Sequence, residues 1–323
     1  MRLRYLPLLL AVILHLTGNV VFGDQWIKMS APNKTWFAIT CSADGKTVAA
    51  AAIFDSIYVS HDSGASWTLT GAPTNYWTSI ACSADGRQII AAAAGEGLFI
   101  STNSGASWNP IKAPEETWVE VASSADGTVL GALASDGSLF ISTDSGETWP
   151  QSESPSGINR IACDADGTKW VATQGLDGGI FVSKDMGNTW RQTSAPVSYW
   201  KDVASSANGQ TLVAVQSGII PDNVSPPSGV AVLGRIYVSH DGGGTWKPAL
   251  VPKMLWQCIA CSGDGKKMVA AELSPRYIYR SLDEGMLWFR DLSPDRGWTD
   301  LAVSVNGKKS FATDFFGGIY SSK

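Results

Sequence analysis

The sequence predicts an all-β chain folded as a seven-bladed β-propeller. Three observations carry this: a tryptophan recurring about every 41 residues, seven hairpin turns at the same spacing, and an incomplete repeat at each end. Trp67, Trp108, Trp149 and Trp190 stand 41 residues apart, Trp246 follows after 56 and Trp288 after 42. Counting 41 back from Trp67 reaches Trp26, so Gln25-Trp26-Ile27-Lys28-Met29-Ser30 reads as a fourth strand lacking its first three. Gly318-Ile319-Tyr320-Ser321-Ser322-Lys323 reads as a third strand lacking its fourth. The two halves make one four-stranded antiparallel blade only if the repeats close into a ring, with the N-terminal strand latching the last blade.

Residues 1–23 read as a secretory signal: Arg2 and Arg4, an apolar run from Leu6 to Leu16, then Val21-Phe22-Gly23 at the cleavage position. The run is too short to span a bilayer. Residues 24–323 then form a single propeller, secreted or periplasmic, monomeric and without a membrane span. This mature chain carries 22 basic and 29 acidic residues, about −7. That balance disfavours nucleic acid and anionic membranes as partners.

Within a repeat, the first strand runs from a Trp into small residues, as in Trp77-Thr78-Ser79-Ile80-Ala81-Cys82, and ends on Asp85-Gly86. The equivalent turns are Asp44-Gly45, Asp126-Gly127, Asp166-Gly167, Asn208-Gly209, Asp264-Gly265 and Asn306-Gly307. Asp-Gly and Asn-Gly between apolar runs signal a hairpin whose two central residues take positive φ. The second strand is rich in alanine (Val48 to Ala52, Ile89 to Ala94), as blades crowding on an axis require. The third is an aromatic-aliphatic-Ser run such as Ile57-Tyr58-Val59-Ser60, and the fourth begins at the periodic Trp.

Between strands three and four lies Ser60-x-Asp62-x-Gly64-x-Ser66-Trp67, repeated with Asn103, Asp144, Asp185 and Asp241 in the acidic place. A sixth copy around Asp283 has Leu287 for the hydroxyl residue. The carboxylate accepts turn amides, the glycine takes the left-handed position and the Trp anchors the turn. This motif resembles the Asp-box, or BNR repeat, of sialidases, xyloglucan-specific glucanases, sortilin-type receptors, photosystem II assembly factors and sugar-binding lectins. The resemblance implies a β-propeller, with the Asp-boxes on the face away from the functional site and their carboxylates structural.

The resemblance implies no particular chemistry. Sialidases similar to this family carry Arg-Ile-Pro and an arginine triad that grips a carboxylate; here no Arg-Ile-Pro occurs and no arginine lies between Arg4 and Arg87. Xyloglucanases pair two propellers around a cleft, whereas this chain predicts one. The histidines outside the signal, His61 and His240, sit inside Asp-boxes, where they cannot build a triad or a metal site on the opposite face. Cys41, Cys82, Cys163 and Cys261 share a repeat position with Ser123, Ser205 and Val303, which marks small buried slots and free thiols. Neither cofactor nor metal is called for.

Candidate site residues lie at the start of strand one. Trp36, Trp77, Trp118, Trp200, Trp256 and Trp298 open it, with Ile158 in the remaining place, and Tyr76 and Tyr199 stand beside two of them. They read either as wedges between blades or as an aromatic ring that grips sugars or peptide. Strand period two points the residue two places on the same way. Those places hold Ala38, Ser79, Glu120, Arg160, Asp202, Cys258 and Asp300, so Arg160 and three carboxylates line a channel mouth, as wet polar groups, cation ligands or acid and base. An insertion between Val215 and Arg235, and the loop residues Asp55, Glu96, Asp136, Asp177, Glu272 and Asp314, give the same face a long loop and an acidic tint. Asn33-Lys34-Thr35 and Asn223-Val224-Ser225 fit the N-glycosylation pattern. The functional expectation is non-catalytic binding of a glycan or of an extracellular or periplasmic protein on this face. The alternative is a glycan hydrolase or lyase using Glu120, Asp202 or Asp300.

Overall fold

The computed structural model describes residues 23–175, 178–217, 233–273 and 276–322. Residues 1–22 of the expected signal, most of the insertion after Val215, Asp177 and the pattern at Asn223 lie outside them. The described chain is an all-β propeller of four-stranded antiparallel blades. Trp26–Lys28 pairs antiparallel with Gly318–Ser322, Trp26 opposite Ser322 and Lys28 opposite Tyr320, and so completes the sheet of Trp298–Val303 and Ser310–Asp314. The ends of the chain therefore share one blade.

The sheets do not separate into seven equal units. Four are four-stranded. The fifth, Trp118–Ser123 with Leu130–Ala134 and Leu139–Ser142, has only a single bridge, Phe140 to Gln151, in place of an outer strand. The sixth is a continuous sheet of eight strands, because Val48–Asp55 runs on past its own hairpin and pairs with the next first strand, Ile53 opposite Tyr76 and Asp55 opposite Asn75.

Packing between repeats explains the residue pattern. Ala49 to Ala52 and Ala91 to Ala93 are at most 1% exposed, and each sheet presses an apolar cluster against the next. Trp36, Ile39 and Val48 meet Ala302, Phe311 and Ile319 across the join of first and last repeats. Gly131 breaks the alanine rule where a Cβ would lie 2.4 Å from Trp170 of the next repeat. Turn backbones also link up in series: the amide of Ala43 donates to the carbonyl of Ala84, Ala84 to Ala125, Ala125 to Ala165, Ala165 to Ala207, Ala207 to Gly263 and Gly263 to Val305.

In the hairpin turns only the glycine is left-handed, φ 65° to 77° from Gly45 to Gly307, while the preceding Asp or Asn is not. The expectation of two positive φ values fails because the turn is longer: Gly45 N–H donates to Ser42 O and Ser42 N–H to Thr47 O, a type I turn with a left-handed glycine after it. Ser42 Oγ donates to Asp44 Oδ1 and accepts from the Thr47 amide, so the acidic residue orients the serine.

The Asp-boxes are closed turns. Asp62 Oδ1 accepts from Ser60 Oγ and the Ser66 amide, Oδ2 accepts from Ser66 Oγ, and Trp67 Nε1 donates to Gly64 O. The Ser66 hydroxyl, its amide and the Ser60 hydroxyl hold the Asp62 carboxyl down at about 2, and Asp144 sits at about 2 in the same bonding. These aspartates have a structural role.

Candidate functional site at the channel mouth

At the start of each first strand the register slips by one residue. Trp36 faces Ala52 but Ala38 faces Ala51, and the same irregularity comes after Trp77, Trp118, Ile158, Trp200, Trp256 and Trp298. Such a bulge inserts an extra residue and re-aims the next side chains along the strand. The residue two places after the Trp consequently points the opposite way: Trp36 packs with Ile39 in one cluster, while Ala38 joins the cluster around Trp77. The expectation from period two is corrected here.

The indoles therefore do not line the channel. Trp36, Trp77, Trp118 and Trp200 are 0% exposed, Trp256 1% and Trp298 3%. Each meets the third-strand aromatic of its own repeat edge-on, Trp36 with Tyr58 at 5.3 Å and Trp200 with Tyr237 at 5.5 Å. As a ligand-binding ring the six are corrected to packing between blades. Tyr199 is half-buried outside the cavity, its carbonyl accepting the Ser217 amide. Tyr76, 38% exposed, does reach the cavity.

A cavity of about 290 Å³ opens at the axis and brings together Glu120, Arg160, Asp202 and Asp300 as expected. It also brings in Phe37, Thr78, Lys201, Gln257 and Thr299, the bulged residues, which strand periodicity overlooked. Their signal in the sequence is that this position varies as freely as the one after it.

The carboxylates are occupied. A first strand has a neighbour on one side only, which leaves a row of N–H groups facing the axis. Glu120 Oε2 accepts the amide of Ile161 in the next repeat at 2.8 Å, and Ser79 Oγ accepts that of Val121 at 3.2 Å. Arg160 and Cys258 cannot serve the next amide in this way, and there the following aspartate serves two. Asp202 accepts Val203 N–H with Oδ1 and Ile259 N–H with Oδ2; Asp300 accepts Leu301 N–H and, across the ring join, Ile39 N–H at 2.9 Å. The remaining Glu120 oxygen lies 4.0 Å from Arg160 Nε. Thr78, Asn159 and Thr299 donate from the bulge to the carbonyls of Trp118, Trp200 and Trp36 of the following repeats. These polar side chains staple blade to blade. Five of the six carboxylate oxygens thus accept a backbone amide, and among the described residues no group of three His, Cys, Asp or Glu is placed to hold a metal.

Burial dominates the electrostatics. It pushes Glu120 up to about 8 and Asp300 to about 7 against the pull of their amide donors, and it raises Asp202. Burial together with Arg160 lowers Lys201. Carboxylates raised in the fold contribute stability that is full below their unfolded values near 4 and is lost as pH climbs through 7 and 8. The Asp-box carboxylates, held down at about 2, contribute the reverse, present above about 4 and lost toward pH 2. Melting temperature is therefore expected to peak near pH 4 to 5 and fall toward pH 9, with a shallower alkaline fall in Asp300→Asn. A maximum at pH 8 would show that the axial carboxylates are not desolvated.

Burial also lifts the thiols, Cys82 to about 11 and Cys163 and Cys261 to about 12, and all five cysteines are unpaired. Cys258 is buried and the other four are half-buried. No helix among the described residues is long and apolar enough to cross a membrane.

The family model described as BNR/Asp-box repeat matches residues 237–248. Among curated proteins none matches the sequence. The structure of YCF48 from Cyanidioschyzon merolae is similar at 14% identity and TM-score 0.70, covering 92% of this chain and 98% of that one. A structure described as YCF48 bound to D1 peptide gives 12% identity, TM-score 0.67 and coverage of 93% and 94%. The GH74 xyloglucanase from Xanthomonas campestris gives 15% identity and TM-score 0.69 over 92% of this chain, which spans only 53% of that enzyme. At these identities the likeness is one of fold: a β-propeller carrying Asp-box repeats.

Proposed function

We propose that this chain is a non-catalytic propeller of seven blades that binds a segment of a partner protein at the channel mouth, on the face opposite its Asp-boxes. One observation carries the reading. The carboxylates an acid–base pair would need are spent on backbone amides, whereas Lys201, Gln257 and Tyr76 line the same cavity from unstapled positions. A few polar groups around a partly apolar hollow suit recognition. The YCF48 structure with D1 peptide is a protein of this fold engaged with a peptide, which favours a protein ligand over a glycan. Seven blades are supported by the turns linked in series from Ala43 to Val305, and by apolar clusters between successive repeats. Export by residues 1–23 and a monomeric state complete the proposal.

The test is a phage-displayed peptide library and a glycan array, each screened against the purified protein, with Lys201→Ala alongside. Peptide ligands are expected, weakened about tenfold by the substitution, with melting unchanged. Hydrolysis of any polysaccharide that Glu120→Gln or Asp300→Asn abolishes would establish the hydrolase instead.

A further inference from the structure

Three of the acidic residues expected to tint this face are paired or buried along one sector of the rim, where the exposed groups are aromatic rings, Arg276 and Asp295. Asp55 is held by Lys34 at 2.6 Å, Asp314 is 1% exposed with Arg296 at 4.0 Å, and Glu272 is fully buried. Phe54 is 75% exposed, Phe316 66% and Phe315 45%. The exposed Arg276 guanidinium stands 5.7 Å from the centre of the Phe316 ring, and Phe315 meets Phe316 edge-on. Phe54 and Tyr76 pair at 5.2 Å, and Tyr76 lines the central cavity. The turn at 33–34 joins the two aromatic pairs: a Cβ on Gly317 would lie 3.5 Å from Asn33, and Lys34 grips Asp55. The result is a continuous arc from Arg276 to the cavity.

Phe54 shows that the arc is not a by-product of packing. It has φ 55°, a left-handed conformation that a bulky side chain adopts only under constraint. The backbone gains something, since the turn aims the Asp55 carbonyl at Trp77 Nε1, 3.0 Å away. Glycine would make that turn without steric penalty. A phenyl ring left mostly in solvent adds little to the core, and with Tyr76 it forms an exposed aromatic pair at the rim.

We propose that this arc docks an extended segment of the partner protein in which aromatic or aliphatic side chains alternate with Asp or Glu. The apolar side chains lie on Phe54, Tyr76 and Phe316, and the carboxylates face Arg276 and, at the cavity end, Lys201. Charge complementarity favours this chemistry, because Asp55 and Asp314 are paired and Glu272 is buried, while the guanidinium beside Phe316 stays at the surface. The inference rests on the reading that this face takes a protein.

The test uses three fluorescent synthetic peptides on the full chain: alternating Phe and Glu, the same with Lys for Glu, and the same with Ser for Phe. Anisotropy at low and at about 0.15 M salt reads the binding. The Phe/Glu peptide is expected to bind, more weakly in salt, and the other two at least about tenfold less. Phe316→Ser and Phe54→Gly should each weaken it by about tenfold, with the melting temperature of Phe54→Gly unchanged or raised. Equal binding of the Lys peptide, or no effect of either Phe substitution, overturns the arc. If Lys201→Ala alone weakens the peptide, the channel-mouth reading survives and the arc fails. Self-association abolished by Phe316→Ser, or glycan binding lost with the Phe residues, would assign the arc to another occupant and overturn the proposal.

Discussion

A chain lacking residues 24–30 is expected to lose the whole ring rather than fray at one edge. Trp26 is 4% exposed, packed against Trp298 with ring centres 6.3 Å apart, and its Nε1 donates to Asp291 Oδ2 at 2.9 Å. Removing a buried Trp costs about 3–5 kcal/mol. Asp291, 1% exposed, would also lose Asp24 and Trp26 as donors, leaving Arg280 at 3.0 Å as its remaining partner in a site that already raises its carboxyl to about 6. Arg280 in turn loses its 2.5 Å contact to Asp24. Breaking buried ion-pair networks costs several kcal/mol more. Against a net stability on the order of 5–15 kcal/mol, the sum is decisive. Thermal melting of chains starting at Asp24 and at Ala31 measures it, and equal midpoints would show that the N-terminal strand is not a latch.

Trp77→Ala is expected to destabilise by about 3–5 kcal/mol, and Trp108→Ala by less. Trp77 is 0% exposed between two repeats, meets Phe99 at 5.4 Å and donates Nε1 to Asp55 O. Trp108, the periodic indole of an Asp-box, is only partly buried. The order is opposite to what regular blades suggest, where the periodic Trp anchors the core and the first-strand Trp faces a ligand. Denaturant titration of both variants decides it. Should Trp77→Ala keep its midpoint and lose peptide binding, the indoles belong to the site after all.

Most of the fold could be read from the sequence because its signals are local and repeated. Hairpin glycines, alanine-rich second strands and Asp-boxes each arise from backbone sterics or short-range bonding within a few residues, and each recurs. The split repeat at the termini predicted that the N-terminal strand completes the last blade, and the structure pairs Trp26 with Ser322. The fusion of two repeats through Ile53 and Tyr76 was not legible, since nothing in Ile53-Phe54-Asp55 says the strand will pass its turn.

For the site, the sequence by itself determined which residues gather at the axis: Glu120, Arg160, Asp202 and Asp300, placed there by repeat position alone. Tertiary structure decided what they do. A one-residue bulge, invisible in a pattern of period two, turned the Trp side chains into the blade interfaces and brought Lys201 and Gln257 to the cavity. Whether a carboxylate is free or spent depends on an unpaired N–H some 41 to 261 residues away, such as Ile161 for Glu120 or Ile39 for Asp300. That partner exists only once neighbouring blades are packed, because it belongs to the next edge strand and not to the local chain.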